Sequence, residues 1–230
     1  MAWEGDERTV RVAAGSVTLE GNLVIPEGVK GMVLFAHGSG SSRHSPRNRY
    51  VAHLLNQARL ATLLVDLLTP DEEAAERRTG HLRFDIGLLA ERLVEATDWL
   101  NRQPDTRDLP VGYFGASTGA AAALVAAVAR SQLVGAVVSR GGRPDLAGPA
   151  LPLVRAPTLL IVGGNDVQVI ELNRQALARL HTEKKLVIIP GVTHLFEEPG
   201  ALDEVARLAR QWFERYLVPE TARAGAHQEV

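Results

Sequence analysis

The stretch from Val111 to Gly119, Val-Gly-Tyr-Phe-Gly-Ala-Ser-Thr-Gly, restricts what this chain can build more than any other. An apolar run ends in Gly115-Ala116-Ser117-Thr118-Gly119, and a small-residue stretch from Ala120 to Arg130 follows at once. The run reads as a buried strand and the stretch as a helix, so the junction is G-x-S-x-G in strand–turn–helix context. Such a turn strains the backbone of its central serine. Glycines two positions to either side remove the side chains that would obstruct the crossing of strand and helix. The turn lifts Ser117 Oγ to the top of a sheet and aims a helix N-terminus at whatever reacts there. A bare G-x-S-x-G also occurs as an ordinary turn, so the remaining segments must decide between the two readings.

Those segments alternate. Val10 to Val12 and Ser16 to Ile25 read as an N-terminal hairpin turning near Ala14-Gly15. Gly31 to Ala36 is a short apolar run fit for a buried strand, followed by the loop His37-Gly38-Ser39-Gly40-Ser41-Ser42. Ser45-Pro46 supplies an N-cap and a first helical residue for a helix to about Ala58. Ala61 to Leu68 is a second buried strand. Thr69 to Gly80 is charged, and Glu72, Glu73, Glu76, Arg77 and Arg78 suggest a solvated helical face. Leu82 to Arg102 is amphipathic, with Phe84, Leu88, Leu89, Leu93 and Trp99 on one broad face. Strands are expected at 109–115, 133–139, 158–163 and 185–189, and helices at 118–130, 170–180 and 201–217. Near-continuous Val/Leu/Ile strands between helices imply an α/β fold, a mainly parallel sheet covered on both faces. We read one domain over residues 1–218 and a frayed tail over 219–230.

A serine hydroxyl needs a base, and the base needs an orienting carboxylate. In an open parallel sheet these groups belong just past the carboxyl ends of strands. After the strand Thr158 to Gly163 comes Gly164-Asn165-Asp166, and after Leu186 to Pro190 comes Gly191-Val192-Thr193-His194. The chain order is nucleophile, acid, histidine. Ser117 would attack a carbonyl carbon, His194 would relay the proton, and Asp166 would fix the imidazole. Asp145, among Gly141, Gly142 and Pro144, is the alternative acid. The oxyanion needs preorganised donors. The N–H of Thr118 is one, and the N–H of Ser39 the other, with Gly40 as the fallback. His37 reads as a structural hydrogen-bonding residue.

Composition narrows the partners. The 230 residues carry a formal net charge of −2 and no basic block, which argues against a nucleic-acid surface. The charged start Met1 to Arg8 lacks an apolar signal segment, and no apolar run is long enough to span a bilayer, so a cytoplasmic protein with no membrane partner is expected. Absent cysteine excludes disulfides and a cysteine nucleophile. The seven histidines lack close metal-ligand spacing. Arg43, Arg47, Arg140 and Arg143 sit in segments that approach the same sheet edge and would hold a carboxylate or phosphate; the competing reading is solvated or internally paired arginine. Arg140 stands out because it closes a strand beside the elbow. Phe196 and Leu195, after the base, either line the leaving-group side or pack the last helix. The insertion at 67–84 is short, so a minimal cap and a small or medium acyl substrate are expected.

The His-Gly-Ser-Gly loop, Gly-Ala-Ser-Thr-Gly, Gly-Gly-Asn-Asp and Gly-Val-Thr-His together resemble the α/β-hydrolase superfamily, and within it the dienelactone-hydrolase-like group, over about Val10 to Leu217. The resemblance implies about eight strands, a Ser-Asp-His triad at Ser117, Asp166 and His194, oxyanion donors at Ser39 and Thr118, and no cofactor. True dienelactone hydrolases carry cysteine where Ser117 stands, which points to a general ester or lactone hydrolase. The segment Ser39 to Asn48 is also similar to bacterial proteins, some fused to phosphoribosyltransferase domains; no such domain is expected here. Amide, carbamate, thioester and activated phosphoester substrates remain open, as do a non-catalytic binding protein and the choice between monomer and homodimer.

Overall fold

The computed structural model describes residues 7–218; the segment 219–230, for which fraying is expected, lies outside them. The chain opens with the hairpin β1 (Arg8–Ala14) and β2 (Val17–Val24), then adds β3 (Gly31–Ala36), β4 (Leu60–Val65), β5 (Val111–Ala116), β6 (Val134–Arg140), β7 (Thr158–Gly163) and β8 (Lys184–Ile189). These form one eight-stranded sheet of order β1-β2-β4-β3-β5-β6-β7-β8. The pairs β1/β2 and β2/β4 are antiparallel, and all the others are parallel.

Every residue of β3, β4, β5 and β7 is buried. Their side chains nevertheless alternate between two layers, as the pleat requires. Met32, Leu34 and Ala36 join the cluster that contains Leu89 and Leu93 of α3 (Ile86–Leu100) and the alanines of α4 (Thr118–Ala129). Val33 and Phe35 face the other way, among Val51 and Leu55 of α1 (Pro46–Gln57) and Val205 and Phe213 of α6 (Ala201–Leu217). Helix α4 is buried over nearly its whole surface, which explains its lack of a polar face. Its run Ala120–Ala123 has no exposed surface, and small side chains let it lie close to the sheet. Helix α5 (Val167–Arg179) covers β7 and β8.

Two local expectations need correction. Phe84 does not share the face of Leu89 and Leu93. The Asp85 carboxylate accepts the Leu88 N–H at 3.0 Å and starts α3 only at Ile86. Phe84 falls in the preceding 3-10 turn and is 56% exposed. The charged segment does form a helix, α2 (Pro70–Thr79), with a capping box between Thr69 and Glu72. Glu76, however, is buried rather than solvated, because its carboxylate accepts the Leu82 N–H at 2.7 Å where the chain leaves that helix.

Candidate active site

The junction of β5 and α4 is the strained turn that the glycine spacing requires. Ser117 sits at φ 51° and ψ −123°, a conformation costly for a residue with a side chain. A Cβ on Gly119 would lie 2.2 Å from Ala36 O, and one on Gly115 would lie 2.5 Å from Ala120 Cα. Neither position admits alanine without moving backbone. The loop after β6 holds the turn in place. Ser117 N donates to Arg140 O at 3.3 Å, while Ser117 O accepts from Ala120 N at 3.1 Å and Arg143 N at 3.0 Å.

The loops after β7 and β8 are tied to each other. Gly164 N donates to Ile189 O at 2.8 Å, Asn165 N to Val192 O at 2.9 Å, and Asn165 Nδ2 to Gly191 O at 3.0 Å. This brings Asp166 to His194, with Oδ2 2.6 Å from Nδ1. The Asp166 side chain is 15% exposed and that of His194 is 43% exposed. A proton on Nδ1, donated to the carboxylate, leaves Nε2 as an acceptor. Asp145 is engaged elsewhere, taking two hydrogen bonds from Arg143 at 2.9 and 2.8 Å. Geometry therefore selects Asp166 over Asp145 as the partner of the histidine.

Ser117 and His194 line one cavity of about 110 Å³. The loop after β3 forms another wall, so close that a Cβ on Gly38 would lie 2.8 Å from Ser117 Cβ. His37 is structural: its Nε2 accepts the Leu67 N–H at 3.0 Å, so its Nδ1 carries the proton and donates to Gly38 O at 3.0 Å. Thr118 heads α4, where first-turn N–H groups lack intrahelical acceptors. Ser39 N–H points at the same residue and donates to Thr118 Oγ1 at 3.1 Å; the two hydroxyls lie 3.0 Å apart.

The arginines divide. Arg43 does not border the cavity. It donates to Glu20 at 2.5 Å, to Asn22 at 3.0 Å and to Asp66, and its backbone N–H also reaches Asp66 at 2.7 Å. Two carboxylates consume its charge, so its expected substrate contact is withdrawn. Arg143 is likewise paired, with Asp145. Arg140 and Arg47 both line the cavity. Arg140 is 7% exposed, has no carboxylate partner among the described residues, and leaves Nε without a hydrogen-bond acceptor. Its Nη2 reaches Asn48 Oδ1 at 3.3 Å, and its guanidinium lies 5.4 Å from the ring centre of Phe196. Burial, reinforced by the nearby Arg47 charge, pulls its pKa down to about 10, so it stays cationic at neutral pH.

Phe196 also needs correction as a substrate-facing residue. At φ 57° it turns into the core, 1% exposed, and Leu195 lines the cavity instead. Asn48 escaped the sequence reading altogether. Its only signal was its place three residues after the Ser45 N-cap, in the first turn of α1.

A serine on a strained strand–helix turn, with an aspartate–histidine pair on two later loops at the same end of a mostly parallel sheet, is the architecture of an α/β-hydrolase. Residues 55–217 match the dienelactone hydrolase family, and the chain belongs to that family. A dienelactone hydrolase from Anabaena variabilis superposes with a TM-score of 0.91 at 67% identity, over 93% of this chain and 99% of that one. A Mycobacterium tuberculosis protein that bears the provisional name phosphoribosyl transferase is 60% identical over 92% of this chain and 47% of its own length. The chain thus spans about half the length of the curated relatives it matches. Est1E from Butyrivibrio proteoclasticus, at 14% identity, shares the fold with a TM-score of 0.74 over 90% of this chain and 98% of its own. No helix of the described residues is long and apolar enough to cross a membrane.

Proposed function

We propose that the protein is a serine hydrolase that cleaves small or medium carboxylic esters or lactones through an acyl-enzyme. The observation that carries this reading is one cavity lined both by a strained Ser117 and by a His194 whose Nδ1 is held by Asp166. His194 Nε2, the free acceptor, takes the Ser117 proton as Oγ attacks the carbonyl carbon. The same proton then goes to the leaving alkoxide. Asp166 keeps the tautomer and stabilises the imidazolium. In a lactone the leaving oxygen stays tethered to the acyl group. Water, deprotonated by His194, then attacks the acyl-enzyme, and His194 returns that proton to Ser117 Oγ as the acyl bond breaks.

The tetrahedral oxyanion takes the Thr118 N–H as one donor. The second donor is the Ser39 N–H, which in the resting site donates to the Thr118 hydroxyl and exchanges that acceptor for the oxyanion. Such donors act on charge that develops only in the transition state. The limited cavity and the absence of a large cap favour short acyl groups over lipid chains.

The test is hydrolysis of a short-chain p-nitrophenyl ester series by the parent and Ser117→Ala, together with intact-mass detection of a fluorophosphonate adduct. Activity and adduct should vanish together in the variant. A folded parent that neither hydrolyses any of these esters nor labels refutes the reading.

A further inference from the structure

The imidazole of His194 is held by its ring, but a ring can stand no more firmly than the main chain that carries it. Asp166 fixes Nδ1. The loop after β8 that delivers His194 bends twice through positive φ, at Gly191 (74°) and Phe196 (57°). The His194 side chain is 43% exposed, so core packing does not confine it. Two backbone bonds inside the loop are long, Val192 N to Ile189 O at 3.4 Å and Phe196 N to Thr193 O at 3.3 Å, beyond the usual N–H···O range.

The peptide group between Val192 and Thr193 is gripped better, and at both ends. Its carbonyl, Val192 O, accepts the N–H of Asn165, the neighbour of Asp166, at 2.9 Å. Its N–H, on Thr193, donates to Glu198 Oε1 at 3.0 Å. A hydrogen bond to a carboxylate is stronger than one between neutral groups. The next carbonyl, Thr193 O, lies against β7, where a Cβ on Gly163 would come within 2.7 Å of it. Glu198 is itself anchored. Ala201 N donates to Glu198 O at 3.0 Å at the start of α6, a helix whose Val205, Ala209 and Phe213 are buried. Glu197 turns outward to Arg47 at 3.2 Å, whereas Glu198 folds back over the histidine loop and its Oε2 is shielded from solvent.

We infer that Glu198 is a positioning residue for His194: from the start of α6 its carboxylate clamps the Val192–Thr193 peptide against Asn165 and so sets where the imidazole stands in the cavity. This rests on the hydrolase reading above and adds to its triad the residue that presents the base. Reach is what the clamp requires. The competing role for Glu198 is charge, acting on the imidazolium or on the N-terminus of α6. The two roles part in a series of three variants. Glu198→Gln keeps an acceptor at the same reach without charge. Glu198→Asp keeps the charge one methylene short of the Thr193 N–H. Glu198→Ala keeps neither.

The first readout is the rate of fluorophosphonate labelling, with kcat for p-nitrophenyl acetate beside it, on variants shown by urea unfolding to be folded. Glu198→Ala and Glu198→Asp should each be slower by about 10- to 100-fold, the scale of a reacting geometry displaced by up to 1 Å. Glu198→Gln should stay close to the parent. Parental rates in Glu198→Ala, or a slow Glu198→Gln beside a parental Glu198→Asp, overturn the clamp. If Glu198→Ala does not fold, the Asp and Gln variants decide by themselves. The second readout needs no turnover. The downfield proton resonance of the His194–Asp166 hydrogen bond, assigned by its loss in Asp166→Asn, should broaden or vanish in Glu198→Asp and persist in Glu198→Gln. A resonance that Glu198→Asp leaves unchanged refutes the proposal. A parent that neither labels nor hydrolyses refutes the hydrolase reading instead, and the resonance still decides whether Glu198 holds the histidine.

Discussion

Replacing Gly119 with alanine should damage both stability and chemistry, for one geometric reason. The added Cβ would lie 2.2 Å from Ala36 O, 2.6 Å from His37 O and 2.7 Å from Ala36 C. Carbon–oxygen contacts are comfortable at about 3.3 Å, so helix α4 and the end of β3 must part by roughly 1 Å. Both obstacles are main chain, and β3 is bonded on both sides, to β4 and β5. Overpacking against yielding side chains costs ~1–3 kcal/mol, and rigid neighbours place this case at or above the upper end. Better helix propensity returns ~1 kcal/mol, leaving a net loss of about 2–3 kcal/mol. The same displacement moves His37 and the Gly38-Ser39 wall away from Ser117. A 1 Å error in a reacting geometry is worth on the order of 100-fold. Urea unfolding and the rate of fluorophosphonate labelling measure the two effects. Gly40→Ala is the control: Gly40 has φ 65° but nothing within 4 Å of its added Cβ, so it should lose only about 1–2 kcal/mol from the left-handed backbone. A Gly119→Ala protein with parental stability and labelling rate would refute the packing argument for the elbow.

Asp166→Asn should lower kcat about 10³- to 10⁴-fold with folding intact, since the amide no longer stabilises the imidazolium or enforces its tautomer; Asp145→Asn should act only on stability, and the reverse result in steady-state assays would reassign the acid. Thr118→Val removes the resting acceptor that competes with the oxyanion for the Ser39 N–H and should leave kcat at or above the parental value; a fall of about tenfold that Thr118→Ser restores would refute that competition. Stability should also respond to acid through Asp98, whose carboxylate is held below the usual range by its hydrogen bonds from Arg130. A depressed folded-state pKa gives stability that is present above the unfolded value, near 4, and is lost as pH falls through the folded value. Asp98→Asn should therefore be less stable than the parent at pH ~6 by about 1 kcal/mol or less, with the gap narrowing as pH falls below the unfolded value in urea titrations. A gap that does not change with pH would refute the assignment.

The architecture was legible because its constraints are local. Strands buried on both faces leave continuous apolar runs, and the elbow leaves glycines at a fixed spacing whose reason is visible in the 2.2 and 2.5 Å approaches at Gly119 and Gly115. Asp166 and His194 were findable because a parallel sheet delivers every strand-end loop to one edge, so a search over a few loops replaced a search over the chain. What failed were judgements that depend on distant partners. Arg43 and Arg140 look alike in sequence, each a loop-proximal arginine near a glycine. Their difference is that Asp66 and Glu20, both 23 residues from Arg43, converge on it, whereas no acid among the described residues reaches Arg140. Phe196 packs the core and Leu195 lines the cavity because of one positive φ that no composition rule requires of a phenylalanine. Glu76 reads as solvated until the chain returns Leu82 N–H to it. In each case the deciding term is electrostatic or conformational rather than hydrophobic, and it is set by which groups the finished fold leaves without a partner. The same rule makes Arg140 informative. The fold gives Arg43 and Arg130 carboxylate partners and leaves Arg140 with an amide oxygen and an aromatic face, a difference that only the distant contacts decide.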